Sequence, residues 1–204
     1  MAEAYLIDTD RQEKITGYID IDSGHNLLAG LPKSVTWLRD YAGEQVSLGN
    51  EPEHWQAVYD WCDSEPDMTI PKNYFTLVEY RRGSKDLTYD AERAPSIRPN
   101  SDFIFFSPMS FAVFFNEGNL GNQFNILELN LSPGMADIVI PSLVLWGRHD
   151  GRNTAEMGQD AYDSLGTDPA HKSLVYFEKS AHQPFIEEPD LFVEEVIKFI
   201  ERYK

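Results

Sequence analysis

Ile138-Val139-Ile140-Pro141-Ser142-Leu143-Val144-Leu145-Trp146-Gly147-Arg148-His149-Asp150 is an apolar run that ends in a glycine turn and a carboxylate. Leu174-Val175-Tyr176-Phe177-Glu178-Lys179-Ser180-Ala181-His182 is a second such run, ending in an imidazole. Short apolar stretches rich in β-branched and aromatic residues, closed by turn residues, predict buried strands over 138–146 and 173–178. Between them Thr154 is placed to cap a helix reaching about Leu165, and Gly166 to end it. Pro189 opens a final helix with Phe192, Val196, Phe199, Ile200 and Tyr203 on one face. Strand, helix, strand, helix is the rhythm of an α/β fold with a parallel sheet and covering helices. Two parallel strands that each deliver one member of an Asp–His pair point to acyl-transfer chemistry.

Working back toward the N-terminus, Lys14-Ile15-Thr16-Gly17-Tyr18-Ile19-Asp20-Ile21-Asp22 is short and β-rich and runs into the turn-like Ser23-Gly24-His25-Asn26. It predicts a strand over 14–22 followed by a loop. From about Leu27 to Asp137 the character changes. Leu31 to Leu48 carries Trp37, Leu38 and Tyr41 at helical spacing, and Pro52 to Cys62 carries Trp55, Val58, Tyr59 and Cys62. Pro71 is placed to start a third helix through Tyr80. The charged stretch 81–100, with Pro95 and Pro99, reads as an irregular connection. Six phenylalanines then fall between Phe103 and Phe115, interrupted by Pro108. That stripe is core by default and a substrate-facing wall as the alternative. Gly118, Gly121 and Pro133-Gly134 mark turns before the run at 138.

The chain has 204 residues, enough to bury a core, and 42% of them are hydrophobic, which excludes a disordered chain. Asp plus Glu number 34 against 17 for Lys plus Arg, so the formal net charge is −17. Such a surface repels phosphate backbones and anionic membranes, so neither nucleic acid nor a membrane is an expected partner. The acidity itself reads as a solvated surface. Cys62 is the single cysteine, which rules out an intramolecular disulfide and a thiolate metal cluster. There is no basic-then-apolar leader and no apolar run of about 18 residues, so the chain reads as a soluble, cytoplasmic protein.

The residues from Ile140 to Gly151, followed by Phe177-Glu178-Lys179-Ser180-Ala181-His182-Gln183-Pro184, resemble the C-terminal third of an α/β-hydrolase. In that family the acid follows a Trp-Gly or Tyr-Gly turn after the penultimate strand. The histidine follows the last strand in a Ser-Gly-His or Ser-Ala-His context, and a helix beginning near a Glu-Pro pair closes the fold. The resemblance covers about residues 138–204. It implies a partial hydrolase core made of residues 1–26 and 138–204, with 27–137 inserted as a helical lid. The large lid is similar, by architecture, to that of proline-iminopeptidase-like members. The resemblance also assigns the chemistry. Asp150 would accept a hydrogen bond from His182, fixing its tautomer. His182 would take a proton from a nucleophile and return it to the leaving group. Gln183, Pro184 and Ser180 would shape the loop around the imidazole. Such hydrolysis of small esters or amides needs no cofactor, and no metal site or nucleotide-binding loop is legible.

The family's nucleophile sits in G-x-S-x-G, a strained strand-to-helix elbow, and no G-x-S-x-G occurs in this sequence. Ser23, in Asp-Ser-Gly-His, lacks the preceding glycine. Cys62 falls at an apolar helical position and reads as a packed thiol. His149 reads as a rim residue and His25 as a plain loop residue, with a pocket-facing role as its alternative. His54 and His171 read as exposed. The sequence therefore matches the C-terminal portion of a longer hydrolase, with 1–11 as the tail of the elbow helix or of the turn after it. Three readings stay open: a hydrolase portion that supplies acid and base but not the serine, a non-catalytic remnant serving as a binding or assembly module, and an autonomous enzyme with a rearranged nucleophile. Strand 14–22 would also expose an edge open to self-association.

Overall fold

The fold comes from a computed structural model, which describes residues 2–8, 12–90 and 126–204. Three parallel strands form the sheet: β1 (Tyr18–Ile21), β2 (Ser142–Gly147) and β3 (Lys172–Phe177), in the order β1-β2-β3. Tyr18 pairs with Ser142, and Ser142 with Lys172, so the three parallel strands begin level with one another, and β2 and β3 also end together, at Gly147 and Phe177.

Every residue of β2 is buried, as a central parallel strand covered on both faces must be. Its side chains alternate between two cores. Val144 and Trp146 join Met135, Ile138, Met157, Ala161 and Leu165 on one side. Leu143 and Leu145 join Phe177 on the other, against Phe192, Val196 and Phe199. Each aliphatic side chain so buried contributes about 2 kcal/mol. The first face is covered by helix α5 (Ala155–Ser164) and the second by α7 (Pro189–Tyr203), giving an α/β fold with the sheet between helices. Gly158 allows α5 its close approach, since a Cβ there would lie 2.7 Å from the Trp146 ring.

The elements begin and end at places the apolar pattern does not show. β2 starts at Ser142 and not at Ile138, because Ile138 closes a 3₁₀ turn (Gly134–Asp137) and Pro141 brings no amide hydrogen to a ladder. β1 covers only Tyr18–Ile21, since Gln12–Lys14 forms a 3₁₀ turn and Gly17 is pressed against the Phe199 ring, 2.8 Å from a Cβ position. Thr154 does precede α5, but its hydroxyl makes no capping bond. Gly166 is a close-approach glycine and not a helix cap: a Cβ there would fall 1.8 Å from the Ala136 carbonyl oxygen. Ile200 lies on the exposed side of α7.

Between β1 and β2 lies a separate helical cluster. It consists of α2 (Leu27–Leu48), α3 (Pro52–Asp63) and α4 (Pro71–Tyr80); helix α1 (Ala2–Asp8) and the short α6 (Pro184–Glu187) belong to the sheet region. α2 begins at Leu27, four residues before the apolar pattern suggests, because the Asn26 side chain accepts the Ala29 amide and caps it. It ends at Gly49, at φ +75°, the left-handed conformation glycine adopts without cost. Leu38, Ala42, Trp55, Val58, Cys62 and Leu77 form its core, and Trp37 stacks on Tyr41 with ring centroids 5.4 Å apart. Among the described residues no helix is long and apolar enough to cross a membrane. The phenylalanine stripe at 103–115, the second half (91–100) of the connection over 81–100, and Gly118 and Gly121 lie outside the described residues.

Candidate active site

Asp150 and His182 leave the C-terminal ends of neighbouring strands and meet there. His182 Nδ1 lies 2.8 Å from Asp150 Oδ2. The other oxygen, Oδ1, accepts the backbone amides of Arg152 at 2.7 Å and Asn153 at 3.0 Å. A carboxylate only accepts hydrogen bonds, so the shared proton sits on His182 Nδ1 and leaves the Nε2 lone pair as a base. Asp150 is buried, whereas the His182 side chain keeps 25% of its surface open.

Glycine brings the two loops this close. A Cβ on Gly147 would fall 1.7 Å from the carbonyl oxygen of Ala181, so only glycine lets the Asp150 turn lie on the His182 loop. His149 N–H then donates to the Ser180 carbonyl at 3.0 Å. Two glutamates hold the His182 loop from the other side. Glu188 Oε2 accepts the Lys179 amide at 2.8 Å and the Ser180 hydroxyl at 2.7 Å. Glu187, also buried, accepts the Ala181 amide at 2.7 Å with one oxygen and the amides of Tyr89 and Asp90 at 2.8 and 2.9 Å with the other.

The helical cluster roofs the acid. Trp37 covers Gly151, where a Cβ would lie 2.7 Å from the indole. The Ser34 hydroxyl donates to the Gly151 carbonyl and in turn receives Arg81. Arg152 pairs with Asp86 at 3.0 Å. Burial pulls the Arg81 guanidinium down to about 10, which keeps it cationic at neutral pH beside these carboxylates.

Beneath the acid turn lie two carboxyls that sequence patterning does not single out. Asp22, at the end of β1, accepts the Gly147 amide at 2.9 Å through Oδ1, and its carbonyl accepts the Asn153 side chain at 2.6 Å. Burial, followed by the charge of Asp150, pushes it up to about 9. Burial likewise raises Asp20 to about 6. Alternating Ile-Asp-Ile-Asp reads as a strand with its acids in solvent; here Asp20 and Asp22 are buried and Ile21 is the exposed residue.

The remaining candidates fall elsewhere. His25 is buried, not a plain loop residue: its Nε2 meets Asp160 Oδ2 at 2.8 Å, and Ser132 donates to the same oxygen at 2.8 Å. The pair pins together the two stems of the helical segment, where Leu131 N–H donates to the His25 carbonyl at 2.8 Å. His149 is exposed and stacked on Tyr89 at 4.4 Å. His54 and His171 are exposed. The Ser23 hydroxyl is buried without a hydrogen bond, and among the described residues no serine hydroxyl bonds to His182. Cys62 packs in the helical core, and burial pushes its thiol up to about 12, leaving it protonated and inert. The cleft of 410 Å³ between α2 and the segment after α3, lined by Pro32, Val35, Cys62 and Met68, does not include Asp150 or His182.

The sequence matches no family model. It is similar to curated proteins described as pimeloyl-[acyl-carrier protein] methyl ester esterases. That of Vibrio cholerae serotype O1 is 23% identical over 164 residues, 80% of this chain and 62% of the relative. That of Vibrio vulnificus (strain YJ016) is 32% identical over 165 residues, 78% of this chain and 61% of the relative. The chain thus spans about three fifths of the length of these relatives. Among solved structures, an α/β fold family hydrolase from Bacillus anthracis str. Sterne superposes with a TM-score of 0.50 at 17% identity, over 96% of this chain and 62% of that one. By sequence relationship and by fold, the chain belongs to the α/β-hydrolase superfamily.

Proposed function

We propose that the chain serves ester hydrolysis, supplying Asp150 as the acid and His182 as the base, while the attacking serine comes from a G-x-S-x-G segment that these 204 residues do not contain. The reading is carried by the 2.8 Å contact between His182 Nδ1 and a carboxylate whose other oxygen is already saturated by two amides. In the first step His182 Nε2 takes the serine proton as the hydroxyl attacks the ester carbonyl. Asp150 stabilises the imidazolium that results. The same proton then passes to the departing alkoxide, and water repeats the cycle on the acyl-enzyme. The relatives' descriptions as esterases favour an ester over an amide. In this reading residues 1–26 and 138–204 are the core, and 27–137 form a lid above it. Water excluded by Trp37 and Arg81 from the Asp150 side strengthens the acid–base contact.

A second reading, a non-catalytic assembly module, is favoured by one observation: β1 is the edge of the described sheet, with no strand on its outer side among the described residues. The test mixes this chain with the elbow-bearing part of the Vibrio vulnificus relative and adds a fluorophosphonate probe and a chromogenic ester. Labelling and turnover that depend on His182 support hydrolysis. Association without turnover supports the assembly module. Stoichiometric labelling of a serine in this chain by itself overturns the separate-serine reading.

A further inference from the structure

Asp22 turns three of its four hydrogen-bonding groups, the amide, Oδ1 and the carbonyl, to one stretch of chain. Its amide donates to the Leu145 carbonyl at 3.1 Å. Its Oδ1 accepts the Gly147 amide at 2.9 Å, and its carbonyl accepts Asn153 Nδ2 at 2.6 Å. Those contacts need a corner: Asp22 sits at φ +44°, in the left-handed region that costs an L-residue energy and that Asp and Asn tolerate best among non-glycine residues. Its second oxygen, Oδ2, is buried without a partner. A strained backbone and an unsatisfied buried oxygen at one residue are retained only where the surrounding structure requires them.

Following the bonds outward shows what they hold. Asn153, fixed by Asp22 through its side chain, donates its own amide to Asp150 Oδ1 at 3.0 Å and offers its carbonyl to the Trp146 indole at 2.7 Å. Gly147, fixed by Asp22 at the other end, is the residue on which the Ala181 carbonyl rests. We infer that Asp22 is a positioning residue for the Asp150–His182 couple, gripping both ends of the 147–153 turn so that Asp150 presents Oδ2, and only Oδ2, to the imidazole. The inference rests on reading that couple as the acid and base of the proposed reaction. It goes beyond that reading by naming the residue that aims it. Asp22 touches neither His182 nor any reacting atom; it acts through Gly147 and Asn153.

The test reads the imidazole itself, so it needs neither a serine nor a substrate. In the chain labelled with ¹⁵N-histidine, the His182 Nδ1 proton gives a downfield resonance protected from exchange by Asp150. Asp22→Asn keeps an acceptor for Gly147 and suits φ > 0, so the resonance should persist. Asp22→Gly relaxes the corner and deletes the acceptor, so the resonance should be lost to exchange with water. Asn153→Ala cuts the other grip without touching β1 and should cause the same loss, which keeps the test open if Asp22→Gly fails to fold. Retention of the resonance in a folded Asp22→Gly chain, or in Asn153→Ala, overturns the inference and leaves Asp22 as a staple between β1 and β2. Loss in Asp22→Asn also overturns it, because the carboxyl's charge and not its geometry would then matter. A chain that passes this test but never turns over ester with the added elbow counts against the proposed reaction alone.

Discussion

The glycine at 147 stands where its missing Cβ would lie 1.7 Å from the Ala181 carbonyl oxygen, so the acid loop and the base loop touch through backbone alone. That oxygen belongs to a loop tied to Glu187 and Glu188, and it cannot rotate away as a flexible side chain could. Gly147→Ala is therefore expected to cost about 3 kcal/mol, the upper range of overpacking penalties. It should also separate Asp150 from His182. Urea unfolding measures the first effect, and the His182 ring resonances measure the second. An alanine variant as stable as the parent would contradict the contact.

Asp150→Asn tests the acid directly. An amide in place of the carboxylate can donate to Nδ1 and so favours the wrong tautomer, leaving Nε2 protonated and unable to accept a proton. In the assembly completed by an elbow-bearing polypeptide, ester turnover is expected to fall by about 10⁴-fold, as it does for the corresponding change in a serine protease. His182→Ala should fall at least as far. Retained turnover in either variant would move the acid–base chemistry to other residues.

Much of the fold is legible because it rests on runs of one kind of side chain. β2 is buried throughout, as a strand covered on both faces must be, β3 carries Leu174, Val175, Tyr176 and Phe177 in a row, and Phe192, Val196 and Phe199 share a helix face. Asp150 and His182 are legible for the same reason: each is the first group of its kind past an apolar run. Their supports are not. Glu187, Glu188 and Asp22 act on backbone amides of Tyr89, Lys179, Ala181 and Gly147, and an amide carries no sequence signature. The alternation at 19–22 even points the wrong way, since an alternating strand places in solvent the two acids that are buried here. The start of β1 and the role of Gly166 are hidden in the sequence for a related reason. Gly17 and Gly166 mark close approaches to Phe199 and Ala136, contacts that only tertiary packing defines.

Asp22 has a consequence for stability against pH. Its ordinary value is 3.8, and burial together with Asp150, Asp20 and Glu187 raises it to about 9 in the folded chain. Between those values the unfolded chain has released the proton and the folded chain keeps it, so folding takes up a proton. Stability contributed by the neutral acid is complete below the ordinary value and is lost progressively as pH rises toward 9. Asp20, raised to about 6, adds to the slope in the lower part of this window. Asp22→Asn does not titrate. It should be more stable than the parent at neutral pH, with a gap in urea midpoint that widens up to pH 9. Parallel stability profiles for the two chains would show that Asp22 is ionised in the fold.

Glu187 joins the segment after α4 to the His182 loop through three amide bonds. Glu187→Ala leaves the buried Ala181 amide without its acceptor, at about 1–3 kcal/mol. Glu187→Gln keeps acceptor capacity and should cost about 1 kcal/mol. Hydrogen exchange gives the specific readout: the Tyr89, Asp90 and Ala181 amides should lose protection together in Glu187→Ala. Loss at Ala181 alone would mean that Glu187 does not couple the two segments.

The β1 edge can be tested without disturbing the ladder it already makes. Tyr18 and Asp22 donate their amides to the Pro141 and Leu145 carbonyls, so amides of even-numbered residues face β2. By the alternation of a strand, the amides of Ile19 and Ile21 face the other way, where no strand pairs with β1 among the described residues. Ile21 is also 39% exposed, an apolar side chain beside an open backbone edge. Such an edge invites pairing with another chain. Sedimentation velocity should therefore show concentration-dependent self-association of the parent chain. Ile21→Pro removes one outward amide and keeps both bonds from Tyr18 and Asp22 to β2, so it should shift the chain toward monomer with little change in its far-UV spectrum. A parent chain that stays monomeric at every concentration, or an Ile21→Pro variant that associates as the parent does, would exclude β1 as the contact.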